Sequence, residues 1–215
     1  MIYILFYTDN IYIIMAMELS LVNMFQFISV ISPFLLGFLL IMASIFNQNI
    51  KGIIYLCGIF IAFFINIFIV NLIKSPASPL KAASCDLFEM PFQSNFYNSP
   101  SFNSLFIAFT FSYIFIPMYF NDELNFWVIA FLLSLFFIDA FSRIRNHCNP
   151  ISGIAFGGLL GLVLGFFWVS LLQVSGYKSL LYYDEFVSNK SVCERPSKQK
   201  FKCSVYKNGQ LIKNL

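Results

Sequence analysis

Histidine is almost absent from this chain, His147 being the only one, and 11% of the residues are charged, against roughly 25% in a typical soluble domain. A single imidazole without a second acid–base partner makes a poor active site. Two cysteines with no neighbouring histidine do not make a zinc site either, so neither a metal nor a cofactor is expected. No phosphate-cradling glycine loop, dinucleotide fingerprint or Ser-His-Asp arrangement is present. Positive charge does not appear before Lys51, so the apolar start of the chain does not read as a cleaved signal peptide. A net charge of +3 is too small to suggest a nucleic-acid partner.

What fills the chain instead is apolar, 59% of the residues being hydrophobic. Long runs cover 28–46, 52–73, 102–120, 124–141 and 151–174, each near the ~20 residues that a helix needs to cross the hydrocarbon core. They do not alternate in polarity, which excludes a barrel, and backbones in lipid must be satisfied internally. The expected fold is all-α, a polytopic transmembrane helical bundle of about five spans. Residues 1–27 are expected as an interfacial segment, 28–175 as the bundle and 176–215 as a basic soluble tail. Basic residues set the orientation. The 74–101 and 142–150 loops share one face and carry Lys74, Lys81, Arg143 and Arg145, whereas Lys51 and the Lys-rich tail lie on the other. The positive-inside rule places the tail in the cytosol.

One block departs from this apolar monotony. Ser142-Arg143 is followed after five residues by Asn149, then by Gly153, Gly157 and Gly161 at the head of the last span. Upstream stands Pro100-Ser101-Phe102-Asn103-Ser104. The two blocks resemble those of the type 2 phosphatidic acid phosphatase family, over roughly 74–165. That resemblance implies a helical membrane fold with the two blocks outside the cytosol. It puts Asn149 where the family has its nucleophilic histidine, Gly153 where it has the orienting aspartate, and Asn103 where it has the general-acid histidine. The family's first block is echoed only by Lys74 and Lys81. Ser101, Ser142, Arg143 and Arg145 are what the resemblance leaves for binding phosphate or a lipid headgroup. A phosphoryl-enzyme mechanism needs a neutral imidazole, an orienting carboxylate and a second acid, and asparagine supplies none of these. The expected role is therefore structural or lipid-interacting, with catalytic residues lost. A divergent lipid-phosphate phosphatase using His147 is the alternative, and a small transporter ranks third. The same Pro-Ser block, the Phe, Ile, Asn and Lys richness and the Cys-Glu-Arg-Pro-Ser-Lys-Gln stretch at 193–199 resemble membrane proteins of large cytoplasmic DNA viruses. That likeness implies a viral or endomembrane-derived membrane as the address.

Other side chains read as architecture. Gly153, Gly157, Gly161 and Gly165 recur every four residues and form one ridge of a helix, a groove for another backbone. The third span complements it with Asn103, Ser104, Thr110, Ser112, Tyr113 and Pro117, expected to face the bundle interior. Asp139 lies near the end of the fourth span, where an ionisable group is costly unless paired. Arg143, one helical turn later, is its expected partner. Cys85 and Cys148 lie in the two loops of one face and are candidates for a disulfide, and Cys57 is expected to be a buried apolar residue. Cys193 and Cys203 belong to the tail. There Asn208-Gly209 marks the tight turn of a small β-hairpin, and the lysines offer a dock for anionic lipids or an acidic protein partner.

Overall fold

A computed structural model describes residues 2–8, 11–17, 21–76, 79–80, 82, 85, 98–122, 124–182, 204–207 and 210–214. At the two ends only the backbone is described, as antiparallel pairs of Ile2–Thr8 with Ile11–Met17 and of Ser204–Lys207 with Gln210–Asn214. Cys193, Cys203, the Asn208-Gly209 turn and Lys81 lie outside the described residues.

Between those ends the regular structure is helical. The helices are α1 (Leu21–Phe46), α2 (Lys51–Ile73), α3 (Phe102–Phe120), α4 (Phe126–Arg145) and α5 (Ile151–Val174), followed by a 3-10 turn, Lys178–Leu180. All five long helices are long and apolar enough to span a membrane, as expected of a multi-pass membrane protein. Their bounds differ from the hydropathy reading at the start of α1, by one residue at the start of α2, and at both ends of α4, which runs on to Arg145. Helix α1 begins at Leu21 rather than at residue 28, because the polar residues Asn23 and Gln26 interrupt the apolar run without interrupting the helix. Helix α4 begins at Phe126, since the Asn125 side chain accepts the Trp127 N–H at 3.0 Å and so caps its first turn.

Helix α3 is the central element. Its residues Leu105, Ile107, Phe109, Thr110 and Tyr113 are fully buried, while α1, α2, α4 and α5 each leave one face of Phe, Leu and Ile outward. Such a face is what lipid requires. The polar set of α3 does point inward: Ser104, Thr110 and Tyr113 are shielded completely and Ser112 nearly so. Cys57, by contrast, is exposed. It lies on the outward face of α2, opposite the ridge of Tyr55, Gly58 and Ile59 that packs inside, and in a bilayer that face is apolar too. An outward position therefore costs a thiol little.

The glycine ridge of α5 packs directly on α3. A Cβ placed on Gly157 would collide with the Ser101 carbonyl oxygen, one on Gly161 with that of Leu105, and one on Gly165 would stand 2.7 Å from the Ser112 Cβ. Four residues of advance on one helix match four on the other, so the backbones run side by side. Beneath the bundle Tyr182 is fully buried, and its hydroxyl donates to the Leu40 carbonyl. The chain after α5 thus folds back under α1.

Candidate functional site

A proline begins the site. Pro33 stands within α1 and has no N–H to give to the Ser29 carbonyl four residues earlier. That carbonyl instead accepts the Ser32 hydroxyl at 3.0 Å and the Asn103 amide at 3.4 Å. An orphan acceptor in hydrocarbon is thereby satisfied, and α1 is tied to the head of α3.

Ser29 then reaches across to α4. Its hydroxyl donates to Asp139 Oδ1 at 2.7 Å, the Ser104 hydroxyl lies 3.4 Å from Oδ2, and Arg143 Nε donates to Oδ1 at 3.1 Å. The Asp139 carboxylate has no exposed surface, whereas the Arg143 side chain retains 15%. A buried carboxylate is tolerated only when paired and hydrogen-bonded, and three donors from three helices meet that condition. The expected Asp139–Arg143 ion pair is therefore present. Its serine partners were not legible, because Ser29 is separated from Asp139 by 110 positions.

Arg143 also extends outward, where Nη1 donates to Asn149 Oδ1 at 2.8 Å. The other end of that amide donates to the Asn98 carbonyl. The strand of chain before α3 is anchored in the same place: the Asn98 N–H meets the Ser75 carbonyl at 3.0 Å, and the Ser101 N–H meets the Gly153 carbonyl at 3.0 Å. Gly153 has little room, since a Cβ there would lie 3.2 Å from the Ser99 Cβ and 3.3 Å from the Asn98 oxygen. The fold thus brings Ser101, Ser142, Arg143, Asn149 and Gly153 to one end of the bundle, with Asn103 on the α1 side of α3. The Ser101 and Ser104 hydroxyls lie 3.1 Å apart, so that Ser101 can donate to Ser104 while Ser104 turns its proton to Asp139, and Ser142 lies 3.5 Å from the Asn146 amide.

His147 does not join this group. Its backbone has φ +54°, its N–H bonds the Ile144 carbonyl at 3.2 Å, and the next N–H, of Cys148, returns to the Arg143 carbonyl at 2.9 Å. This crossed pair of bonds is a Schellman cap with His147 in the left-handed position usually given to glycine. The side chain is exposed and makes no hydrogen bond with the described residues. Arg145 is exposed as well. Arg143 and Arg145 in the last turn of α4 both sit favourably at the negative end of the helix dipole.

A disulfide joins Cys85 to Cys148, with 5.5 Å between the Cα atoms. Around it the Ala82 N–H donates to the Asn146 carbonyl at 3.1 Å. One residue of the 74–101 loop is thus bonded covalently to the neighbour of Asn149. Among the described residues no group of three histidine, cysteine or acidic side chains is placed to hold a metal ion.

Comparison with protein-family models, with curated proteins and with solved structures finds no match to this chain.

Proposed function

We propose that this protein is a multi-pass membrane protein with a phosphatase-like site whose catalytic groups are lost, serving a structural or lipid-interacting role. The observation that carries this reading is the clamp on Arg143. Two of its N–H groups are spent on Asp139 and Asn149, so the cation that phosphate chemistry would need is neutralised from within. The positions that the resemblance assigns to imidazoles hold Asn149 and Asn103, and both amides are occupied in tying helices together. Gly153 is packed against the Asn98–Ser99 backbone and has no carboxylate to orient anything. Lipid contact at this end of the bundle falls to Arg145, whose exposed guanidinium lies where headgroup phosphates would stand, and beyond it to the unspent N–H groups of Arg143, since Ser101 and Ser142 are buried.

In this reading the site faces away from the cytosol and the tail lies within it. Charge bias supports that orientation, and so does a disulfide in the same loops, since such bonds persist in oxidising compartments. A viral or endomembrane-derived membrane is the setting we propose on the resemblance to viral membrane proteins, with the lysine-rich tail docking on anionic lipid or an acidic partner.

The deciding experiment measures phosphate release from phosphatidate by purified protein in mixed micelles. Wild type, Arg143→Ala and His147→Ala are expected to give the same background rate. Turnover by wild type that is lost in a folded His147→Ala variant would reverse the reading in favour of a divergent phosphatase.

A further inference from the structure

The connection 146–150 between α4 and α5 is held both from within and from outside. Within it, His147 takes φ +54°, a conformation that costs a residue with a Cβ more than it costs glycine and persists only where the surroundings fix it. From outside, the Ala82 N–H donates to the Asn146 carbonyl at 3.1 Å, and the Cys85–Cys148 bond ties the same stretch of the 74–101 loop to the residue after His147. The next residue is Asn149, whose amide oxygen accepts from Arg143 Nη1 at 2.8 Å. One disulfide therefore fixes the turn that sets Asn149 against the guanidinium, and the Arg143 side chain keeps only 15% of its surface exposed.

We propose that the Cys85–Cys148 bond is a redox switch on Arg143. With the bond closed, Arg143 is clamped by Asn149 and Asp139. With it open, the turn relaxes, Asn149 withdraws, and the freed guanidinium binds a phosphate group, whose oxygens match its fork of donors. This regulation rests on the reading of the polar end as the one that meets phosphate or lipid headgroups, and it acts on that same site. The bundle itself is closed by other contacts: the glycine seam joins α5 to α3, and the Ser29–Asp139 bond joins α1 to α4. What the disulfide adds is local to the turn, so opening it loosens Asn149 without undoing the helices.

The reductant is a dithiol. Cys85 is half-buried and Cys148 only 7% exposed, so the incoming thiolate attacks Cys85 Sγ, the S–S bond breaks, and Cys148 leaves as a thiolate. The second thiol of the reductant then attacks the mixed disulfide and expels Cys85. The two protein sulfurs gain two electrons and two protons while the dithiol becomes a disulfide. Position makes Cys148 the better leaving group. It lies between the last turn of α4, with Arg143 and Arg145, and the start of α5 at Ile151, and neighbouring cations and helix N-termini both favour a thiolate.

Phosphate affinity in the two redox states is the test. Cys57, Cys193 and Cys203 would be replaced by serine, leaving Cys85 and Cys148 of the five cysteines. The full chain, oxidised or treated with dithiothreitol, would be titrated in detergent micelles with a short-chain phosphatidate and with inorganic phosphate, its state checked by maleimide mass-tagging. Reduction is expected to tighten phosphatidate binding about tenfold, the factor that about 1.4 kcal/mol supplies, and Asn149→Ala to give the same gain with the disulfide intact. An equal gain for inorganic phosphate would assign the site to the phosphate group alone, and a gain confined to phosphatidate to a lipid headgroup; both support the release of Arg143. Equal affinities in the two states would overturn the proposal, as would a gain that survives in a folded Arg143→Gln variant. Loss of the monodisperse folded species on reduction would make the bond a structural staple and overturn it as well. Phosphate release from phosphatidate would instead reverse the assigned loss of catalysis and leave this comparison of affinities standing.

Discussion

Single side chains at the polar end of the bundle act as ties between helices. Asp139 binds α4 to α1 through Ser29 and to α3 through Ser104, and Arg143 carries the same tie outward to Asn149. Removing one partner of a buried pair leaves the other uncompensated, a loss of about 3–5 kcal/mol. Arg143→Ala is therefore expected to lower the thermal midpoint in detergent sharply, and Asp139→Asn with Arg143→Ala to recover part of the loss. A midpoint for Arg143→Ala equal to that of wild type would remove the clamp from the argument. His147 has the reverse signature. Glycine at its left-handed position relieves the crowding of a Cβ, worth roughly 1–2 kcal/mol, so His147→Gly is expected to be as stable as wild type or more so, whereas a nucleophilic role would make it inactive. The Asp139–Arg143 pair was legible because one helical turn separates them. The roles of Ser29, Asn98 and Asn103 were not. Hydropathy registers a serine or asparagine in an apolar run only as a weak spot, and nothing in a sequence says which carbonyl a distant proline will leave unpaired.

At the scale of elements, the seam between α3 and α5 decides the arrangement. Its glycines were readable as a ridge, because a period of four residues places them on one side of a helix, and its partner was readable as the most polar span. Lipid contact explains why α2 gave less: apart from Lys51, Asn66 and Asn71 its length is apolar on every side, so its sequence does not mark which face packs and Cys57 was misplaced. The seam yields a graded prediction. Overpacking a filled interior costs about 1–3 kcal/mol or more, and at Gly161 even a Cβ meets the Leu105 backbone, which cannot turn aside as a side chain can. Gly161→Leu is expected to prevent assembly or lower the midpoint severely. Leu159 is 62% exposed, so Leu159→Ala is expected to change it little. Similar midpoints for the two would mean that α5 does not pack on α3 through its glycines.

For the whole molecule the question is which end of the bundle faces the cytosol, and two unrelated physical arguments converge. In the orientation we propose, basic residues bias the Lys51 and tail face toward the cytosol, and a Cys85–Cys148 bond on the other face would persist in an oxidising space. The chemistry of a thiol owes nothing to the insertion of charge, so their agreement carries more weight than either alone. Engineered cysteines in a Cys57→Ser background, with the disulfide retained, test it in intact cells. Tail cysteines also replaced by serine would leave no competing thiol. Asn47 and Asp122 are exposed between helices at one end, and Lys74 and Arg145 at the other. Lys74→Cys and Arg145→Cys are expected to react with an impermeant maleimide from outside the cytosol, and Asn47→Cys and Asp122→Cys only after permeabilisation. If all four react in the reverse pattern, the disulfide stands in a reducing compartment and the charge bias has misled. If Lys74 and Arg145 react from opposite sides, the bundle is not threaded as described, since the bond from Cys85 to Cys148 cannot cross a membrane.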